Sequence, residues 1–168
     1  MDEEQLQHDV ASVAPATPSN FTFFGSYDHT IDSKGRIIIP NGYRKPLGEV
    51  FTISLTRDGE GIALYPDWVF DALLGELYHL NQRSVAVQKY QAYLAKMSYR
   101  GMQADGQGRL LLPVKLRQYV LGEAKDVEIS GALDHIRIVD SVAAGGEDTY
   151  FKEHRMSILE EIANMKES

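Results

Sequence analysis

Two arginines, Arg36 and Arg109, stand in nearly the same decapeptide. It reads "IDSKGRIIIP" over residues 31–40 and "ADGQGRLLLP" over 104–113, with the aspartates 105 − 32 = 73 positions apart. In each copy an aspartate lies four residues before the arginine and a glycine directly before it, and Arg44 or Arg117 follows four residues after the proline. Grouped guanidinium ions suit anion recognition, because their planar fork of N–H donors matches a phosphate or the O6 and N7 edge of guanine. The same spacing also allows an internal use, in which each aspartate holds its arginine as an ion pair within one loop. Spacing alone leaves both open. Lys34 adds a cation in the first copy, and Lys115 lies near the second.

The aspartates and glycines have an architectural reading. Glycine supplies the positive φ that a tight turn requires, and an aspartate can accept backbone N–H groups across it. Asp32, Gly35, Asp105 and Gly108 are therefore read as structural turn residues.

The elements around these turns read as strands. "FTFFGSYDHTI", the turn "DSKG" and "RIIIP" have the pattern of a hairpin, and "YRGMQA", "DGQG" and "RLLLP" repeat it. Pro40 and Pro113 end the second strand of each, leaving room for a short helical turn that could bring Arg44 and Arg117 back toward the motif face. "VFTISLT" (50–56) with "GIALY" (61–65), and "DVEIS" (126–130) with "HIRIV" (135–139), predict two further hairpins. Between the copies, Pro66 opens a helix carrying Trp68, Val69, Ala72, Leu73, Leu77 and Leu80. A second helix follows "NQRS". "SVAAGGED" reads as a flexible break before a terminal helix striped with Phe151, Met156, Ile158, Leu159 and Ile162.

The alignment of 31–44 with 104–117 gives five identities, at Asp32, Gly35, Arg36, Pro40 and Arg44, and it continues with small shifts into the later strands. This is an internal duplication. Two copies related by pseudo-twofold symmetry would present paired arginines on one surface. The organisation expected is a disordered acidic arm (1–20), a first repeat with its helical insert (21–95), a second repeat (96–140), and a flexible link with a C-terminal helix (141–168).

At these residues the sequence resembles the MraZ family of bacterial transcriptional regulators, which carry two tandem AbrB-like, swapped-hairpin DNA-binding units. The likeness covers about 21–139. It implies an α+β, mainly β fold: a pseudo-twofold intertwined β-barrel from two repeats, with helices between the repeats and at the C-terminus. It also implies a ring-shaped homo-oligomer that binds double-stranded DNA at repeated short G-rich boxes in promoters. Those boxes would lie upstream of the family's own operon, among cell-division and wall-synthesis genes. Arg36 and Arg109 would be the principal DNA contacts, with Lys34 beside the first and Arg44 and Arg117 contributing. The sequence departs from the family pattern in three places: the acidic arm, Gln107 where the first copy has Lys34, and Val139 where an aromatic is expected.

Composition is consistent with this reading without selecting it. The net charge of −7 resides at the ends: residues 1–20 carry −4, residues 140–168 carry −4, and the remainder is −7 + 8 = +1. Global charge says little about a local basic face. With no cysteine there is no disulfide framework, thiolate nucleophile or Cys-rich zinc site. The acidic N-terminus does not resemble a secretory signal, so a cytoplasmic location is expected, and the resemblance to DNA-binding regulators implies association with the nucleoid. His8, His29, His79, His135 and His154 lack metal-ligand spacing, the glycine-rich turns lack a phosphate-loop context, and no G-x-S-x-G is present. No enzymatic activity and no cofactor are expected. The alternative function is a protein-interaction or scaffolding ring whose basic face binds acidic partners.

Overall fold

The computed structural model describes residues 21–167. The expected acidic arm, 1–20, lies outside the described residues. Eight strands and five helices follow in chain order: β1 (Ser26–Thr30), β2 (Arg36–Ile38), α1 (Asn41–Leu47), β3 (Phe51–Leu55), β4 (Ile62–Pro66), α2 (Asp67–Tyr78), α3 (Val85–Lys96), β5 (Tyr99–Met102), β6 (Arg109–Leu111), α4 (Val114–Leu121), β7 (Asp126–Gly131), β8 (Ile136–Asp140) and α5 (Ser141–Glu167). The fold is α+β with mostly antiparallel strands. Six form one sheet in the order β1-β7-β8-β4-β3-β5, and β2 and β6 form a separate two-stranded ribbon.

The hairpins expected at 50–56 with 61–65 and at 126–130 with 135–139 are present as β3–β4 and β7–β8. Those expected around the two motif turns are not. β1 pairs with β7 and β2 with β6, while β5 pairs with β3. Period-2 patterning specifies which residues face the core but not which strand supplies the hydrogen bonds. Here each motif strand finds its partner in the other half of the chain. Exchanging every strand for its counterpart 73–76 residues away turns the sheet order into its own reverse and returns the ribbon to itself.

The core explains why this crossing is favourable. Ile37 and Ile39 from one copy, and Leu110 and Leu112 from the other, are all buried with Ile53, Leu64, Leu116, Val127 and Ile136 in a single cluster. Both copies thus bury their apolar faces against each other, which neither hairpin could do alone. A smaller cluster of Ala63, Tyr65, Val69, Phe70, Leu73 and Leu94 seats α2 and α3 on the opposite side of β4. β3 and β4 are consequently buried along their whole lengths.

The segment "SVAAGGED" is not a flexible break. It is the first part of α5, which runs unbroken from Ser141 to Glu167. Gly145 and Gly146 each disfavour helix by about 1 kcal/mol, but local contacts offset this. Asp140 accepts the Val142 N–H at 2.7 Å, Ala144 is buried, and the guanidinium of Arg137 in β8 forms a two-pronged ion pair with Glu147. Farther along, Tyr150, Phe151, Met156, Leu159 and Ile162 are exposed on this chain. Val139 is buried, and its Cγ1 lies 3.0 Å from where a Cβ on Gly61 would stand.

Candidate nucleic-acid interface

The two motif turns are built alike. Oδ1 of Asp32 accepts the N–H groups of Lys34 and Arg36, both at 2.9 Å, and Oδ2 accepts Nε–H of Arg36 at 2.7 Å. Oδ1 of Asp105 accepts from Gln107 and Arg109, again at 2.9 Å, and Oδ2 accepts Nε–H of Arg109 at 2.7 Å. Gly35 and Gly108 close the turns, donating to the carbonyls of Asp32 and Asp105 at 3.0 and 2.9 Å. Their φ values of +82° and +79° lie in the left-handed region open to glycine. The Arg36 amide, then its guanidinium, holds the Asp32 carboxyl below its usual range, and Arg109 does the same for Asp105.

The internal ion pair allowed by the spacing therefore exists, and its geometry does not consume the arginine. Only Nε is engaged, and among the described residues the terminal nitrogens of Arg36 and Arg109 make no hydrogen bond. Nη1 and Nη2 form a fork of the kind suited to bidentate contact with guanine or phosphate. The carboxylate fixes the guanidinium plane, and the half-exposed fork remains open to an acceptor.

Both arginines lie on the outer face of the β2–β6 ribbon. Arg36 stands opposite Leu111 and Ile38 opposite Arg109, so the two cations occupy one diagonal of a four-residue patch. Lys34 is exposed at the first tip, whereas the matching Gln107 is neutral.

Arg44 and Arg117 sit elsewhere. Each lies behind the turn of the opposite copy: a Cβ on Gly108 would meet the Arg44 guanidinium within 2.5 Å, and one on Gly35 would meet that of Arg117 at 2.9 Å. Arg44 Nε–H donates to the Ile39 carbonyl at 2.9 Å, while Nε of Arg117 is buried without a partner among the described residues. Each glycine thus opens its turn and leaves room for a cation beneath it. Residue spacing could not indicate this contact, because it joins positions 64 and 82 residues apart (108 − 44 and 117 − 35).

His29 was a lone histidine in the sequence. Its Nε2 accepts the Ile38 N–H at 3.1 Å, tying β1 to the ribbon. The position 73 residues later is Met102, which offers no nitrogen acceptor. The five site cations and the two turn aspartates sum to 5 − 2 = +3, in a chain whose net charge is −7. Among the described residues no group of three or more His, Cys, Asp or Glu side chains is placed to hold a metal ion, and no helix is long and apolar enough to cross a membrane.

Comparison with known proteins gives the family. Residues 22–89 match the family described as "MraZ protein, putative antitoxin-like". The chain is 36% identical over 116 residues to the Transcriptional regulator MraZ of Lachnoclostridium phytofermentans, covering 69% of this chain and 79% of the relative. It is 35% identical over 121 residues to that of Finegoldia magna, covering 70% and 80%. With the protein of Acetivibrio thermocellus it shares 33% over 118 residues, again covering 70% and 80%. A paired-turn α+β protein with an arginine-bearing ribbon is the class that fold and site define. The chain belongs to the MraZ family, whose curated members are named as transcriptional regulators and not as enzymes.

Proposed function

We propose that the chain is a sequence-specific DNA-binding transcriptional regulator, with Arg36 and Arg109 reading guanines in the major groove. The supporting observation is the pair of matched turns in which Asp32 and Asp105 fix Nε and leave the terminal nitrogens open. Two-stranded ribbons enter the major groove in other DNA readers, so the shape is suitable. Lys34 reaches phosphate at the first tip. Arg44 and Arg117 contribute positive charge from behind the turns, and Arg44 also braces the backbone through the Ile39 carbonyl.

The six-stranded sheet and its ribbon form, on this reading, an intertwined pseudo-twofold barrel from the 21–95 and 96–140 repeats. Several copies assemble into a ring homo-oligomer, in the cytoplasm and at the nucleoid. One face with two guanidinium ions binds weakly, and a ring that repeats it gains avidity on DNA with repeated boxes. Repeated short G-rich boxes in the promoter of the division and cell-wall operon are the expected target, following the family resemblance.

The test is binding to a duplex of repeated G-rich boxes beside a scrambled duplex at two salt concentrations. Selective binding is expected, with Arg36→Ala and Arg109→Ala each weakening it by about 5- to 150-fold, the range for a bidentate arginine–guanine contact. Undiminished selectivity in folded variants would refute the assignment. Equal, strongly salt-dependent binding to both duplexes would reduce the arginines to generic charge.

A further inference from the structure

The outer face of the ribbon carries two side chains that the arginine reading leaves unused. Ile38 and Leu111 are 45% and 55% exposed, while the residues beside them in sequence, Ile37, Ile39, Leu110 and Leu112, are buried. Strand alternation makes this unavoidable: in "RIIIP" and "RLLLP" the arginine and the middle apolar residue share one face. Ile38 is paired with Arg109 and Leu111 with Arg36, so the apolar pair fills the diagonal that the cations leave.

Directly opposed side chains in an antiparallel pair have Cβ atoms about 5 Å apart. Successive bases along one DNA strand are about 3.4 Å apart. An arginine on a guanine edge therefore brings its cross-strand apolar neighbour to the edge of an adjacent base pair. The apolar group offered there by a major groove is the thymine C5-methyl.

We propose, resting on the DNA reading above, that Ile38 and Leu111 are specificity residues contacting thymine methyl groups beside the guanines read by Arg109 and Arg36. Charge selects this occupant over a second copy of the chain. Each apolar side chain is bordered by a guanidinium, so burying the patch against an identical patch would crowd arginines together. A polyanion with exposed methyl groups complements both diagonals at once.

Replacing thymine with deoxyuridine tests this without altering the protein, because only the methyl is lost. Wild-type binding is measured on a duplex of repeated G-rich boxes with thymine flanking each guanine run, on its deoxyuridine counterpart, and on a scrambled duplex. Wild type is expected to lose about fourfold affinity per contacted methyl on the deoxyuridine duplex. The double variant Ile38→Ala, Leu111→Ala is expected to bind the thymine and deoxyuridine duplexes equally, still preferring both to the scrambled one. Equal wild-type binding to thymine and deoxyuridine duplexes, with selectivity over the scrambled duplex retained, would overturn this proposal and leave the DNA reading standing. Loss of selectivity altogether, with Arg36→Ala unchanged from wild type, would overturn both. A smaller particle size for the double variant in solution would assign the patch to a subunit contact and refute the proposal.

Discussion

At the first turn Asp32 holds Arg36 through a contact of 2.7 Å, and at the second Asp105 holds Arg109 through one of the same length. Behind them the two turns diverge. Arg44 satisfies Nε on the Ile39 carbonyl, whereas Nε of Arg117 is buried with no partner among the described residues. A Cβ on Gly108 would stand closer to its cation than one on Gly35. The first tip carries Lys34 and a histidine acceptor on Ile38, while the second has Gln107 and Met102 at those places. The difference separates two requirements. Geometry that aims a guanidinium is kept in both copies, whereas the surrounding charge and the packing behind the turn differ.

The largest effects should come from closing the space beneath the turns. Gly108→Ala forces a left-handed backbone on a side chain and displaces Arg44, for a loss of about 3 kcal/mol. Gly35→Ala meets Arg117 less closely and should cost about 2 kcal/mol, as read by urea unfolding of each variant. Equal losses would mean that backbone strain alone matters and the cations beneath are incidental.

Replacing those cations should separate the copies further. Arg44→Met loses a charged donor's hydrogen bond and is expected to destabilise by about 1.5 kcal/mol. Arg117→Met removes an unsatisfied buried donor and should be close to neutral in thermal unfolding. A larger loss at Arg117 would reverse the order of the two halves.

Exchanging the tips tests charge alone. Gln107→Lys should steepen the dependence of log K on log salt by about 0.9, and Lys34→Gln should flatten it by a similar amount. If only Lys34→Gln has an effect, the second tip does not reach phosphate.

The smallest expected effect is on acid stability. Both turn carboxyls lie below their ordinary range, chiefly through the backbone N–H of Arg36 or Arg109. An unfolded aspartate titrates near pH 3.9. Their stabilisation is therefore complete above that value and disappears as pH falls through the lower folded values. Carboxyl carbon NMR should show Asp32 and Asp105 each titrating below the value of an unfolded aspartate, and ordinary titration at either would contradict the turn geometry.

Much of this was legible in the sequence because it is local. The alternation in "RIIIP" marks a strand and its buried face, and "VFTISLT" with "GIALY" makes the hairpin its turn requires. The strand crossing was not legible, since Ile37 and Ile39 would alternate identically in a hairpin or in the ribbon with Leu110 and Leu112. The helix through Gly145–Gly146 was missed because its support comes from Arg137 and buried Ala144 rather than from propensity. Arg36 and Arg109 could be singled out by type and spacing. The place of Arg44 beneath Gly108 depends on the crossing and could not be inferred without it.

Crossed pairing also sets an order of events at synthesis. Thr30 in β1 bonds to Asp126 in β7, 96 residues later in the chain. At about 5–20 residues per second, a ribosome needs roughly 5–20 s to make that stretch. For most of that interval β1 and β2 have been translated but lack β7 and β6, so the first turn has no ribbon to support it. Contacts between such distant residues also slow folding after release. The ribbon that carries both arginines is therefore completed only once Leu111 has been made, 111 − 38 = 73 residues after the end of β2. A prematurely terminated product ending before β6 would carry Arg36 without its ribbon and, on the proposed reading, could not compete with intact copies for DNA.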